Sequence, residues 1–341
     1  MDRRSFLKTT GAVAGSAATG LPLATDSIGA PNLGRGALEL RIGARIPEAM
    51  PVIGELPRRL ADRVARLSDG RVRLVGAEAP DSDAVLDVAG GDTTDPGLAI
   101  VGGVPCGLSG PAIESWLIAG GGQALWENVA ARHGVKPFYA GRGGGPRALW
   151  TRAPLTTFAG TTFAARGIAG MALSELGARV APRPADGIAS ALAAGSIDGA
   201  EGFAPLIDLT LGLIEAAPHG HAGPLFDAET VFALEFDLGM WDRLSESDRA
   251  LIETAIAAEA GRIGPELAAH AEMALATGRM RHGAAISQAS EGPWRDASAA
   301  VDEVLSRIES ASSAGARLVA SYRGFARLTL PAHPGAARPV A

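Results

Sequence analysis

The chain has 341 residues, 47% of them hydrophobic and 20% charged, with a formal net charge of -6. This is the composition of a globular protein long enough to build two cored units, and it excludes a disordered chain. No Lys/Arg block occurs beyond the extreme N-terminus, which excludes nucleic acid as a partner, and no later stretch has the roughly 18 consecutive apolar residues of a membrane span.

Residues 1–30 read as a targeting segment. Arg3-Arg4 precedes Ser5-Phe6-Leu7-Lys8 and a weakly apolar Ala/Gly/Thr-rich run to Ala24. RRSFLK resembles the twin-arginine export signal, with Asp2 standing where Ser or Thr is usual. Cleavage after either Ala24 or Ala30 leaves an acidic chain, expected in the periplasm. Cys106 is the only cysteine, so no intramolecular disulfide can form in an oxidising compartment and stability must come from the core.

LELRIGAR (Leu38 to Arg45) alternates with period two and predicts a first strand. Leu56, Leu60, Val64 and Leu67 fall at helical spacing, and Asp69-Gly70 stops that helix. RVRLVG (Arg71 to Gly76) and AVLDVAGG (Ala84 to Gly91) are strands, with Ala77 to Asp83 between them too short for a crossover helix. Trp116 to His133 is helical with an interruption at Gly120-Gly121-Gly122, and Val135 to Gly141 is a strand. Further strands are predicted at Ala148 to Arg152, Thr161 to Ala165 and Thr230 to Asp237, alternating with helices at Met171 to Leu176, Gly187 to Ala194 and Pro205 to Ala217. Ser245 caps a long helix to Arg281, and Pro293 to Leu328 is a last helical stretch. Strands alternating with helices imply open α/β sheets, which bind ligands at the carboxyl ends of their strands.

The run VPCGLSGPAIESWLIAGGGQALWENVAARHGVKPFYAG (Val104 to Gly141) resembles the receptors of tripartite ATP-independent periplasmic (TRAP) transporters. GRGGGPRALW, FAARGIAGMALSELGARVAPRPADGIASALAAGSIDGAEGFAPLID (Phe163 to Asp208) and AETVFALEFDLGMWDRLSESDRALIETA (Ala228 to Ala255) follow in that family's order. The likeness covers most of Val104 to Ala255 and points to the branch of 2-oxo acid and mannitol-chloroaromatic receptors. It implies an α/β, two-lobed fold of the type II periplasmic-binding-protein kind, with hinge strands and long C-terminal helices. Lobe I is expected at 37–147 plus 236–290, lobe II at 148–235, a C-terminal helix at 291–328 and a tail at 329–341. The implied function is delivery of a small organic acid to the TRAP membrane subunits, without catalysis; a homodimer through the C-terminal helix is a further expectation.

Arg166 follows a strand and precedes Gly167, so its planar fork of donors should emerge at a strand's carboxyl end, where it suits a carboxylate. The resemblance makes it the anchor of the ligand. Glu201 matches the family's glutamate, and an acid beside a carboxylate ligand calls for an intervening cation, Na⁺, K⁺ or Ca²⁺, with Glu201 and Asp227 as candidate ligands. Gly202 replaces the family's tryptophan, which leaves Phe203 to supply an aromatic wall. Pro146 stands where relatives carry a glutamine, and its neighbour Arg147 either makes a second positive contact or points to solvent. No cofactor is expected apart from that cation.

Rival chemistry is poorly supported. His219 and His221 lack a third ligand nearby for zinc, Gly141 to Gly145 lacks the spacing of a phosphate loop, and Ser109, Ser115 and His133 lack a nucleophile's context. Cys106 reads as a small hydrophobe, and Trp116 and Trp126 as core. The alternative is a degenerate sensor or an enzyme on the same fold.

Overall fold

Alternating Leu40 and Ile42, buried, with Glu39 and Arg41, exposed, make Leu38–Ala44 a strand with one face toward a core. A computed structural model describes residues 37–91, 95–288 and 292–329; the twin-arginine segment 1–30 lies outside them. The strands are β1 (Leu38–Ala44), β2 (Val72–Gly76), β3 (Ala84–Val88), β4 (Val135–Arg142), β5 (Leu149–Thr151), β6 (Thr162–Ala164), β7 (Arg179–Val180), β8 (Gly199–Glu201), β9 (His219–Ala222), β10 (Val231–Asp237) and β11 (Ala285–Gln288). The helices are α1 (Leu56–Leu67), α2 (Gly110–Ile118), α3 (Gly122–Ala130), α4 (Gly167–Glu175), α5 (Ala185–Ala193), α6 (Pro205–Thr210), α7 (Leu213–Ala216), α8 (Leu238–Arg243), α9 (Glu246–His282), α10 (Ala297–Ala311) and α11 (Ser313–Thr329).

Two sheets result, as the α/β pattern predicts. The first is ordered β2-β1-β3-β10-β4 and the second β11-β9-β5-β8-β6-β7. β10 returns antiparallel between β3 and β4, while β1 and β3, and separately β6, β7 and β8, run parallel. Helices cover both sheets and leave two apolar clusters, one around Trp150, Phe203 and Phe236, the other around Trp116, Trp126 and Phe163.

The short link at 77–83 has a geometric explanation. Ile42 of β1 pairs with both Gly76, the last residue of β2, and Ala84, the first of β3. Because β3 begins at the level where β2 ends, the chain need only step across β1. A 3₁₀ turn at Ala79–Asp81 makes that step directly over Gly43, where an added Cβ would lie 2.6 Å from Ser82 Oγ and 2.9 Å from Ala79 Cα. Ala77 donates its N–H to Ile42 O at 3.0 Å, and Asp83 accepts the Arg41 N–H at 2.7 Å. Stagger and a glycine replace the crossover helix.

The triple glycine separates α2 from α3: Gly121 sits at φ 84°, and a Cβ on Gly122 would press within 2.8 Å of the Trp116 indole. Ser245 caps the 37-residue α9, its Oγ accepting the Asp248 N–H at 3.2 Å. α1 is clamped to α9 by Arg59, which reaches Glu259 at 2.7 Å and Glu266 at 2.8 Å, with Arg63 on the other oxygen of Glu259 at 2.6 Å.

Two features differ from the sequence reading. The stretch 293–328 is two helices, α10 and α11, because Ser312 is extended and accepts the Gly315 N–H at 2.9 Å, starting a new helix. β9 and β11 form an outer parallel pair that the sequence reading does not assign, since HGHA and AISQ lack an apolar alternation. The homodimer through the C-terminal helix finds no support. The apolar side of α11, with Leu318, Val319 and Tyr322, is buried within its own chain, where the Tyr322 hydroxyl oxygen accepts the Leu108 N–H at 2.6 Å.

Candidate functional site

The carboxyl ends of parallel strands from both sheets meet at one cleft of about 230 Å³. β1 delivers Arg45 and Ile46; β3 delivers Asp87, Val88 and Gly91; β6 delivers Arg166; β7 delivers Pro182 to Ala185; and β8 delivers Phe203. This is where open α/β sheets present ligand sites.

Arg166 stands at the N-terminus of α4 in extended backbone, and Gly167 turns the chain into the helix at φ 53°, a conformation costly for any residue with a Cβ. Its guanidinium lies over the Phe203 ring, Cζ 4.1 Å from the centroid, a cation–π contact that fixes its direction. Among the described residues no carboxylate forms an ion pair with it. Burial lowers its pKa, with the Arg147 charge acting in the same sense and the Glu201, Asp208 and Asp87 carboxylates in the opposite one.

Glu201, the last residue of β8, is fully buried. One carboxylate oxygen accepts from the Arg147 guanidinium at 2.5 Å and the other from the Arg166 backbone N–H at 2.9 Å. Arg147 is buried as well and is held by a second bond, Nε to Ala228 O at 2.9 Å. Its alternative outward orientation is therefore not adopted. The pair forms a layer behind Arg166 and is absent from the cleft lining.

Gly202 and Phe203 follow Glu201 for a steric reason. A Cβ on Gly202 would stand 2.2 Å from Asp208 Oδ2. Asp208, in the first turn of α6, accepts the Trp150 indole N–H at 2.8 Å and the Phe203 N–H at 2.7 Å. Burial pushes its pKa up to about 6. A tryptophan could not occupy position 202 with Asp208 in place, and Phe203 provides the aromatic surface, its ring beneath Arg166. Asp227 is exposed, outside the lining, and accepts the Cys106 N–H at 3.1 Å.

Residues 123–310 match the model of the bacterial extracellular solute-binding protein family, family 7. The chain belongs to that family. It is 28% identical over 215 residues to a monocarboxylate 2-oxoacid-binding periplasmic protein of Nostoc sp., across 58% of this chain and 59% of that one. The chain thus spans less than two thirds of that relative's length. The fold of this family 7 protein is that of a TRAP periplasmic solute binding protein from Colwellia psychrerythraea with bound calcium and pyruvate: TM-score 0.80, 18% identity, 86% of this chain and 95% of the other. A counterpart from Pseudoalteromonas atlantica with bound sodium and pyruvate gives a TM-score of 0.79, 20% identity and the same coverage.

Sequence reasoning singled out Arg166, Glu201, Gly202, Phe203, Arg147 and Asp227. The structure brings the first five together at one end of the second sheet and leaves Asp227 outside the cleft lining, though close enough for its carboxylate to feel the Arg147 charge. It missed Arg45, Asp87, Arg183 and Asp208. Asp208 had a readable signal, an acid in the first turn of a Pro-initiated helix just after a glycine in a strand-end loop. Arg45 and Asp87 pair at 3.1 Å across neighbouring strands, which no local pattern announces.

Two of the rival groups are accounted for as well. The Cys106 thiol is pushed up to about 12 by burial, which removes thiolate chemistry near neutral pH. His221 is pushed down to about 4 by burial and bridges Thr151 at 2.9 Å and Ser287 at 3.1 Å. Among the described residues no three His, Cys, Asp or Glu side chains converge to hold a metal ion, and no helix is long and apolar enough to cross a membrane.

Proposed function

We propose that the chain is the extracytoplasmic receptor of a TRAP transporter, capturing a small 2-oxo or other carboxylate in the cleft between its two sheets. The observation that carries this reading is Arg166: a guanidinium at a strand end, seated on Phe203, with no ion-pair partner among the described residues. A carboxylate would take its two terminal donors side by side, a charge-assisted pair strengthened as the cleft excludes water. Arg183, exposed on the lining, offers further positive charge at the entrance, and the Arg45–Asp87 pair closes the opposite wall.

In this reading each lobe is built on one sheet, so that all of β10 (Val231–Asp237) goes with the first and β11 (Ala285–Gln288) with the second, unlike the bounds at 235/236 and 290 expected from sequence; the lobes close on the acid, and the closed form engages the membrane subunits by a population shift. The names of the Nostoc relative and of the pyruvate-bound neighbours support a 2-oxo acid. Export through Arg3-Arg4 would put the receptor in the periplasm. Changing both to Lys is expected to hold the precursor in the cytoplasm, and normal periplasmic accumulation would remove that step. The calcium and sodium bound with pyruvate in the neighbours support the expectation of a co-bound Na⁺, K⁺ or Ca²⁺, but the donors around Glu201 fit one poorly.

The test is a thermal-shift screen of the purified protein against pyruvate, 2-oxobutyrate, lactate, malonate and neutral alcohols of the same size. Stabilisation confined to the acids is expected. Equal response to acids and alcohols, or turnover of a bound acid, would favour the rival sensor or enzyme reading.

A further inference from the structure

We propose that in this receptor the Arg147 guanidinium takes the place of the metal cation that the Colwellia and Pseudoalteromonas proteins bind along with pyruvate, so that the acid is bound without a metal ion. The inference rests on the reading that a carboxylate docks at Arg166.

A buried glutamate next to an anionic ligand needs a positive charge between or behind them, because two like charges in a water-poor site repel strongly. In the Colwellia and Pseudoalteromonas proteins calcium or sodium accompanies pyruvate. Here the charge is already supplied by the chain. Glu201 gives one oxygen to Arg147 at 2.5 Å and the other to the Arg166 N–H at 2.9 Å. Arg147 is pinned by Ala228 O at 2.9 Å, so it cannot swing away without abandoning two bonds.

The remaining donors are no better suited to an ion. Ca²⁺ takes about six to eight oxygen ligands and Na⁺ a similar all-oxygen shell, mostly carboxylates, carbonyls and water. Position 146 is proline and position 202 glycine, so neither side chain has an oxygen. Both oxygens of Asp208 are committed, to Trp150 and to Phe203, and Asp227 faces Cys106 outside the cleft lining. A metal ion in contact with Glu201 would also sit against a fixed guanidinium.

Arg147 and Glu201 pair with each other; of the other carboxylates near Arg166, Asp87 is paired with Arg45 at 3.1 Å and Asp208 is held by Trp150 and Phe203. One terminal nitrogen of Arg147 is buried without a hydrogen-bond partner among the described residues, so the guanidinium keeps a donor in reserve.

The experiment is calorimetric titration of pyruvate and malonate into the whole protein, metal-stripped with EDTA and then supplemented with Na⁺, K⁺ or Ca²⁺. The wild type is expected to bind one of these acids with an affinity that varies by less than about twofold across the four conditions, well within what a direct metal contact would exceed. Arg147→Gln should lose at least about tenfold in EDTA, and Ca²⁺ should restore part of it, because Glu201 is then free to ligate an ion. Since that variant leaves Glu201 buried without its counter-charge, Arg147→Gln with Glu201→Gln provides a neutral pair that keeps the charge balance. It is expected to fold and to bind without metal dependence. Affinity of the wild type that rises more than about tenfold with a cation would overturn the inference while leaving the carboxylate reading standing. Absence of binding by either acid in every condition would take away that reading, and the inference with it.

Discussion

Gly202→Ala tests the architecture behind the cleft. Gly202 does not have a positive φ, so alanine is excluded by space alone and not by backbone conformation. Its new methyl would meet Asp208 Oδ2 at 2.2 Å, well inside contact distance. The carboxylate cannot yield freely, because it is held by Trp150 at 2.8 Å and Phe203 at 2.7 Å. Overpacking costs about 1 to 3 kcal/mol, and weakening one hydrogen bond to a buried charge adds about 1 to 2 kcal/mol. A total of about 2 to 5 kcal/mol follows, read as a melting temperature lower by roughly 3 to 8 °C for a chain of this size. Phe203 would shift with its N–H, loosening the seat of Arg166, so ligand affinity should fall about tenfold. The assay is denaturant unfolding of the four proteins of a double-mutant cycle with Asp208→Ala. In the Asp208→Ala background the glycine substitution should cost about 1 to 3 kcal/mol less than in the wild type. Strict additivity, or an unchanged melting temperature for Gly202→Ala, would refute the reasoning.

Two other perturbations test separate parts of the account. The pKa of Asp208 is raised to about 6 in the folded protein from about 3.9 unfolded, so the native state binds more protons between these values and its contribution to stability falls as pH rises through that window. The stability of Asp208→Asn relative to wild type should therefore improve by about 2 kcal/mol between pH 4 and 7 by urea titration; parallel pH profiles would contradict the burial argument. Gly43→Ala should push the 77–83 link off β1 and cost about 1 to 3 kcal/mol in the same assay, whereas an unchanged midpoint would mean that the link does not depend on this close approach.

The sequence made the α/β class legible because its strands and helices carry clear apolar periods: LELRIGA alternates, and Leu56, Leu60 and Val64 stripe one helix face. Caps and glycines told where helices end, as Ser245 and Gly121 show. What stayed hidden depends on partners distant in the chain. Whether Arg147 faced the interior could not be read from a strand, since either parity is open until Glu201 and Ala228 close around it. Gly202 looked like a lost aromatic wall, yet it makes room for a carboxylate six residues on, a contact that only the turn into α6 creates. The break at Ser312 was invisible because both flanking segments keep helical periodicity and nothing but one side-chain hydrogen bond marks the boundary.

The central claim is that Arg166 anchors a carboxylate, and its most direct test is titration of the acid chosen by the thermal-shift screen into wild type, Arg166→Ala and Arg166→Lys, with circular dichroism checking that each is folded. Removing the guanidinium leaves a buried carboxylate unpaired at a cost of about 3 to 4 kcal/mol. Arg166→Ala should thus bind about two to three powers of ten more weakly, and Arg166→Lys should recover only part of the loss, keeping the charge without the planar fork. A folded Arg166→Ala protein that binds the acid as tightly as the wild type would contradict the account, for the ligand would then sit away from this cleft.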